Sequence, residues 1–315
     1  MNLKKILIGS QSGGIFLALI LMCVLISSLT PRFLTDTNLL VILNQVSVNA
    51  ILAFGVTFVI ISGGIDLSLG SMLAVAGVVA ALFAKSDGGN VYLALLMALG
   101  VGALMGAMNG FTVILSKVPP FIVTLGTMTI ARGAALIISS GRPVSDLSES
   151  FNFLGNGDLF GLPIPILFLI ATYVVCHFVL TQTVFGRYVT AIGGNETAAW
   201  VAGIPVAKVK WWVYTLSGIF AALGGILLSA RINTGQPNAG LGFELDAIAA
   251  VIIGGTSTRG GKGSMTGTLL GVLFIGVINN GLDLLNVSAY WQQVVMGGII
   301  ILAVVLDSVY QKMKR

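Results

Sequence analysis

The sequence predicts an all-α polytopic membrane protein of about ten transmembrane helices, some of them broken, with both termini in the cytoplasm. Three observations predict it. Of 315 residues, 56% are hydrophobic and 9% charged, at a mean hydropathy of +1.01, where a soluble domain carries about 25% charge. Apolar runs of about 20 residues, enough to cross about 30 Å of hydrocarbon, recur with no compositional break, so residues 1–315 read as one membrane domain. The charges also segregate by side. Lys4, Lys5, Lys117, Arg187, Lys208, Lys210, Arg259, Lys262, Lys312, Lys314 and Arg315 fall on one side of a single consistent topology. The other side keeps Arg32, Lys85, Arg142 and Arg231 among acids such as Asp36, Asp87, Asp146, Glu149 and Asp158. That is the positive-inside pattern. The net charge of +5 is therefore a topological signal and not a nucleic-acid footprint.

The spans follow in order. Residues 1–30 have the basic start and apolar core of a leader but no small-x-small cleavage site, and Cys23 follows Met22, so the expectation is an uncleaved first span over 15–29. Pro31 closes it, because proline disfavours helix for the residue before it. Residues 39–61 return, 67–84 go out and 91–115 come back to Lys117. Pro119 and Pro120 open the next span, 121–140, where early prolines are tolerated. A polar outer segment, 141–162, carries turn residues. Residues 164–180 descend, 211–228 ascend, a short run at 245–255 follows, and 265–282 and 290–305 complete the set. The 41 glycines suit close helix–helix approach and interrupted helices.

Two places break the hydrophobic rhythm at membrane depth: residues 62–68, with Gly63, Gly64, Asp66 and Ser68, and residues 254–264. Their flanks are similar, VIISGG and GSM against VIIGG and GSM, which hints at internal duplication. Unwound backbone inside a membrane has to be buried in protein or line a wet cavity. Both breaks are thus either parts of a translocation path or tight turns near the cytoplasmic surface.

No catalytic constellation is present. His177 lies in an apolar run and reads as a packed histidine; Cys23 and Cys176 sit in apolar runs and suggest neither a disulfide framework nor a metal site. The stretch 260–264, GGKGS, resembles a phosphate loop but fails its pattern: Thr256 stands where the first glycine belongs and Gly263 follows Lys262. The chain is expected to bind no cofactor, so ATP-driven work would need a partner that binds the nucleotide.

Residues 186–210 form the one long polar run between apolar segments. Phe185, Gly186 and Arg187 read as the end of a span. Gly193 and Gly194 form a second breaker, with Asn195 as an N-cap for a short amphipathic helix over 196–202, ETAAWVA, closed by Gly203 and Pro205. Its small residues and Trp200 suit the groove of a partner protein; an interfacial helix lying on the bilayer is the other reading.

The loop sequence GRYVTAIGGNETAAWVAGI resembles the coupling segment of permease subunits of ribose-type sugar ABC importers. VNAILAFGVTFVIISGGIDLSLGSMLA (48–74) and FELDAIAAVIIGGTSTRGGKGSMTGTLLGVLFIGVINNGLDLL (243–285) resemble the same family, and the likeness runs over about 30–306. One departure is Thr258-Arg259, where smaller or apolar residues are expected. The resemblance implies a type II-like importer permease in the bacterial inner membrane. It implies a homodimer working with a cytoplasmic ATPase that holds ATP and Mg, and with a periplasmic or surface sugar-binding protein. The loop residues Gly186, Arg187, Gly193, Gly194, Asn195, Glu196, Ala198 and Ala199 would then couple to the ATPase. Ribose leads the cargoes, followed by other pentoses, galactose-like sugars and the autoinducer-2 signal.

Charged groups at membrane depth are costly. Asp66 reads as a gate residue or, preferably, a cap for the helix beginning near Leu67. Arg132 reads as holding an internal partner in preference to sugar. Glu244 and Asp246 are expected to open a helix at the periplasmic face, matching its dipole or meeting basic residues of the binding protein. Asn44, Gln45, Asn49, Asn279 and Asn280, with Asp66 and Ser68, are candidates for the path or gate; amides that glue helices together are the other reading. On residues alone, a secondary transporter driven by an ion gradient also suits broken helices and buried acids.

Overall fold

The computed structural model describes residues 11–313; Lys4, Lys5, Lys314, Arg315 and the start of the expected leader lie outside the described residues. Every expected apolar run becomes a helix. They are α1 (Gln11–Leu29), α2 (Asp36–Ile61), α3 (Leu69–Phe83), α4 (Val91–Ser116), α5 (Pro120–Ile138), α7 (Ile164–Gln182), α10 (Val206–Arg231), α11 (Phe243–Ile253), α12 (Met265–Leu284) and α13 (Ala289–Met313). Three further helices are amphipathic or polar: α6 (Glu149–Asn156), α8 (Val184–Gly194) and α9 (Glu196–Val201). Among the described residues, six helices, α2, α4, α5, α7, α10 and α12, are long and apolar enough to cross a membrane.

The core is built from α2, α3 and α10. Helix α3 is buried on all sides from Leu69 to Ala81, which explains its uniformly apolar sequence without an amphipathic stripe. Helices α1, α4, α5 and α7 surround this centre and turn large apolar side chains outward, among them Leu21, Leu104, Ile130 and Phe178. Such a surface suits lipid.

Glycine seams set the packing distances. Gly102, Gly106 and Gly110 repeat at every fourth residue of α4 and face Gly218, Tyr214 and Trp211 of α10. A Cβ at Gly102 would strike the Gly218 carbonyl, and one at Gly218 the Gly102 carbonyl. Since lipid is as apolar as leucine, such close backbone approach supplies the dispersion contact that holds membrane helices together. Similar seams join α3 to α10 through Gly77 and Gly225, and α11 to α12 through Gly254, Gly267 and Gly271.

Residues 141–162 contain more structure than turn residues alone suggest. Strand β1 (Val144–Ser145) pairs antiparallel with β4 (Thr234–Gly235), and β2 (Asp158–Leu159) with β3 (Leu162–Pro163). Between them, α6 packs Phe151 inward, and Asn156 donates to the Ala230 and Arg231 carbonyls at 3.0 and 3.1 Å, satisfying the end of α10.

The largest departure from expectation follows α10. Residues 232–242 do not stay outside; they run back along α3. A Cβ at Gly235 would touch Ala81 and Gly77, and one at Gly240 would touch the Gly70 carbonyl and Leu73. Helix α11 therefore starts level with Gly70, about 20 Å from the Phe83 end of α3 at 1.5 Å per residue. Glu244 and Asp246 do occupy its first turn, but inside the bundle, correcting the expectation that this helix opens at the periplasmic face. The physical reason is a turn-rich return segment in which Gly235 and Gly240 lack the side chains that would hold its backbone off α3.

Replacing Gly106 by Leu is expected to destabilise the bundle by about 1–3 kcal/mol through overpacking, lowering the thermal midpoint in detergent. Gly100→Leu is the control, since nothing lies within 4 Å of a Cβ built there, and its midpoint should match that of the parent.

Candidate translocation path and coupling segment

The polar run 186–210 forms two helices. The span α7 ends at Gln182, and Thr183 both closes it and caps α8, accepting from the Gly186 amide at 3.3 Å. Phe185, Gly186 and Arg187 accordingly lie inside the first turn of α8 and do not end the span, a correction. Gly186 is needed because a Cβ there would meet the Leu180 carbonyl, so the chain can turn sharply from one helix into the next. Asn195 then caps α9, its Oδ1 accepting from the Ala198 amide at 2.9 Å, as its position before ETAAWV predicts. Ala199 is buried, while Glu196, Ala198 and Trp200 are exposed. Lys210 Nζ donates to Glu196 Oε2 at 2.6 Å, tying α9 to the first turns of α10. Arg187 is exposed on α8.

The C-terminal end of α8 rests on both expected breaks. Gly261 N donates to the Ile61 carbonyl at 2.8 Å, joining the end of α2 to the loop between α11 and α12. A Cβ at Gly193 would strike that same carbonyl and Gly261 N. Gly194 abuts Gly261, and Gly260 abuts Gly193 and Gly63. Gly63, Gly260 and Gly261 all have positive φ, a conformation glycine adopts without steric cost. Three stretches of backbone thus meet with almost no side chain between them. The 254–264 stretch itself is a hydrogen-bonded turn ahead of α12, with Ser257 N donating to the Lys262 carbonyl at 2.9 Å.

Residues 62–68 are unwound inside the protein, and a closed polar knot organises them. Asp66 is fully buried. Its Oδ1 accepts from Ser68 N at 3.0 Å and Ser68 Oγ at 2.5 Å, and its Oδ2 from Ser217 Oγ at 2.8 Å. Asn109 donates to Ser68 Oγ at 2.9 Å, and Thr124 Oγ1 accepts from Leu67 N at 3.1 Å. Ser68, not Asp66, occupies the N-cap position of α3. Asp66 instead ties the approach to α3 to α10, while Asn109 ties it to α4.

The returning segment has its own anchor. Arg132, midway along α5, donates from Nη1 to the carbonyls of Pro237 and Ala239 at 2.7 and 2.8 Å. This is an internal partner of the kind expected for it. The guanidinium and the Glu244 carboxylate also attract one another, so the acid at the start of α11 has an opposing charge nearby. Arg231 similarly donates to the Asn44 carbonyl at 3.0 Å.

The amide candidates divide. Asn280 and Asn38 exchange two hydrogen bonds of 2.9 Å, an amide pair joining α12 to α2. Gln45, Asn49 and Asn279 instead line one small cavity of about 50 Å³ with Asp246, Val46, Ala250 and Gly276. Asn44 Oδ1 and Asn49 Oδ1 are buried without a protein partner. His177 lies against Tyr173, ring centroids 5.6 Å apart. No cluster of three metal-ligating side chains occurs among the described residues.

Sequence reasoning missed the return segment. Its signal was the density of turn formers from Asn233 to Gly242, visible but silent about direction. The carbonyls held by Arg132 lie more than a hundred residues away in sequence, beyond any local pattern.

A bundle of apolar spans built around interrupted helices is the architecture of a multi-pass membrane permease. The chain belongs to the family described as branched-chain amino acid transport system / permease component, which it matches over residues 38–304. It is 45% identical over 299 residues to the ribose import permease protein RbsC of Bacillus subtilis (strain 168), covering 94% of this chain and 92% of that protein. To the D-allose transport system permease protein AlsC of Escherichia coli (strain K12) it is 40% identical over 300 residues, covering 95% and 92%. To the L-arabinose transport system permease protein AraH of the same strain it is 38% identical over 309 residues, covering 96% and 90%. No solved structure matches the chain. It is a transport subunit of the inner membrane.

Arg132→Met should lower the thermal midpoint, because two buried carbonyls lose their donor at about 1–3 kcal/mol each. Arg132→Lys should recover only part of the loss, since its shorter side chain carries a more strongly hydrated ammonium that is costlier to bury. Differential scanning fluorimetry of the purified permease measures both.

Proposed function

We propose that this chain is the permease subunit of an ATP-driven bacterial monosaccharide importer, with ribose the first cargo, and that it forms the translocation path by alternating access. Two copies would assemble with a cytoplasmic ATPase that carries ATP and Mg, and a periplasmic or surface sugar-binding protein would deliver the sugar. The chain itself binds no cofactor and no nucleic acid. Ten membrane segments in one domain with both termini in the cytoplasm fit the charge distribution. Relatives named for ribose, allose and arabinose support a sugar cargo.

The observation that carries the coupling reading is the glycine junction. Helices α8 and α9 present Glu196, Ala198 and Trp200 outward, and the last residues of α8, Gly193 and Gly194, rest on the end of α2 and the turn before α12. A push on α9 would reach both membrane breaks through rigid backbone contact, with no flexible side chain to absorb it. Nucleotide binding can shift the transporter between states only through contacts that differ between them, and this segment is where such contacts would be made. Gly186, Arg187, Gly193, Gly194, Asn195 and Ala199 would shape and seat it. Asp66 and Ser68 would hold the approach to α3 as it moves.

The test is reconstitution of the permease with its ATPase and binding protein in proteoliposomes. ATP-dependent uptake of labelled ribose, competed by unlabelled ribose, is expected; uptake by the permease alone in ATP-free vesicles under an ion gradient would overturn the reading. Ala198→Trp adds bulk on the exposed face of α9 and should reduce ATP-driven uptake by about tenfold or more, the scale of losing one anchoring contact. The thermal midpoint of the permease should stay unchanged.

A further inference from the structure

The cavity at the start of α11 has a composition that its surroundings do not explain. It brings together Gln45 and Asn49 of α2, Asn279 of α12 and Asp246 of α11. The two α2 residues are four apart and share one helix face; α12 approaches them so closely that a Cβ at Gly276 would meet Val46. Among the described residues no hydrogen bond joins any of these four side chains to a protein partner, and Asn49 Oδ1 is buried without one. By contrast, Asn280, next in sequence to Asn279, is paired with Asn38. Lipid-facing surfaces of the same bundle are apolar. An acid and three amides left open at mid-depth cost insertion energy unless a polar species meets them.

We propose that Asp246, with Gln45, Asn49 and Asn279, forms a hydroxyl-binding station for a neutral polyol on the translocation path, and that Asp246 is its selective residue. This rests on the importer reading given above, and it moves Asp246 away from binding-protein docking. A carboxylate only accepts hydrogen bonds, whereas amides both donate and accept. Two adjacent sugar hydroxyls can donate to the two carboxylate oxygens while the amides serve the remaining lone pairs and protons. The same charge repels phosphorylated or carboxylated sugars, which gives the path a filter for neutral solutes. At about 50 Å³, the cavity admits a few hydroxyl-sized groups and not a whole monosaccharide, since ligand sites run to about 300–1,000 Å³. Transport then requires α2 and α12 to part from α11 around the sugar. Weak, transient hydrogen bonds suit such a station, because a tightly held sugar would not leave.

The experiment uses the complete reconstituted complex. Asp246→Asn keeps the shape and removes the charge; it should lower labelled ribose uptake by about tenfold, the worth of one charge-assisted hydrogen bond. Its affinity for the binding protein, measured by titration, should stay within twofold. Equal loss of uptake and of binding-protein affinity would restore the docking role and overturn the proposal. A second variant, Asn49→Cys in a background lacking Cys23 and Cys176, should react with a hydrophilic thiol reagent during ATP turnover and be protected by ribose. Failure to react in any nucleotide state would also overturn it. If the parent complex carries no ribose while Asn49→Cys still reacts, the importer's cargo is wrong and the water-accessible path stands.

Discussion

Everything in this bundle depends on one constraint: backbone that leaves helical geometry inside a membrane must still find hydrogen-bond partners, because no water is there to supply them. The return segment meets it through Arg132, which serves the Pro237 and Ala239 carbonyls from one guanidinium nitrogen. The unwound approach to α3 meets it through Asp66, Ser68, Thr124 and Ser217. Once both stretches are satisfied, α3 and α11 can begin within the protein and need not cross it from edge to edge. The interruptions are thus held open by specific polar side chains. Loss of one leaves carbonyls or amides buried without partners, which is why a single arginine in an apolar helix matters to the whole.

Glycine supplies the second half of the architecture. Along α4 and α10 it brings backbones close enough for helix-to-helix dispersion contact. At the junction of Ile61, Gly193 and Gly261 it leaves almost no side chain to cushion one segment from the next. Close packing is bistable and not continuously deformable. A segment seated this tightly moves with its neighbours or not at all, which is the property a lever needs. The sharp turn at Thr183 and Gly186 serves the same end by fixing where α8 leaves α7.

Much of the fold was legible in the sequence. Apolar run length located the six helices long and apolar enough to span a membrane among the described residues, proline at position 120 opened α5 as expected, and the Asn195 cap and the helix after it followed from side-chain chemistry alone. Local rules failed where a distant partner decides conformation. Phe185 to Arg187 looked like a helix end, because glycine followed by arginine is a common stop; Thr183 and the crowding at Leu180 made it a helix start. The amides on α2 and α12 looked equivalent in sequence. Only the facing helix separates Asn280, which meets Asn38, from Asn279, which meets the cavity.

By itself, then, the sequence determined the environment and the punctuation: a lipid-embedded helical chain, its polar loop, its caps and the absence of a phosphate loop. These depend on composition, run length and contacts within a few residues. Tertiary structure decided the rest. It turned 232–242 inward, set Glu244 and Asp246 at mid-depth, gave Arg132 its carbonyls and brought the α8 glycines onto both breaks. Those outcomes depend on which backbones approach one another across the bundle, and glycine permits such approach at many positions without specifying the partner.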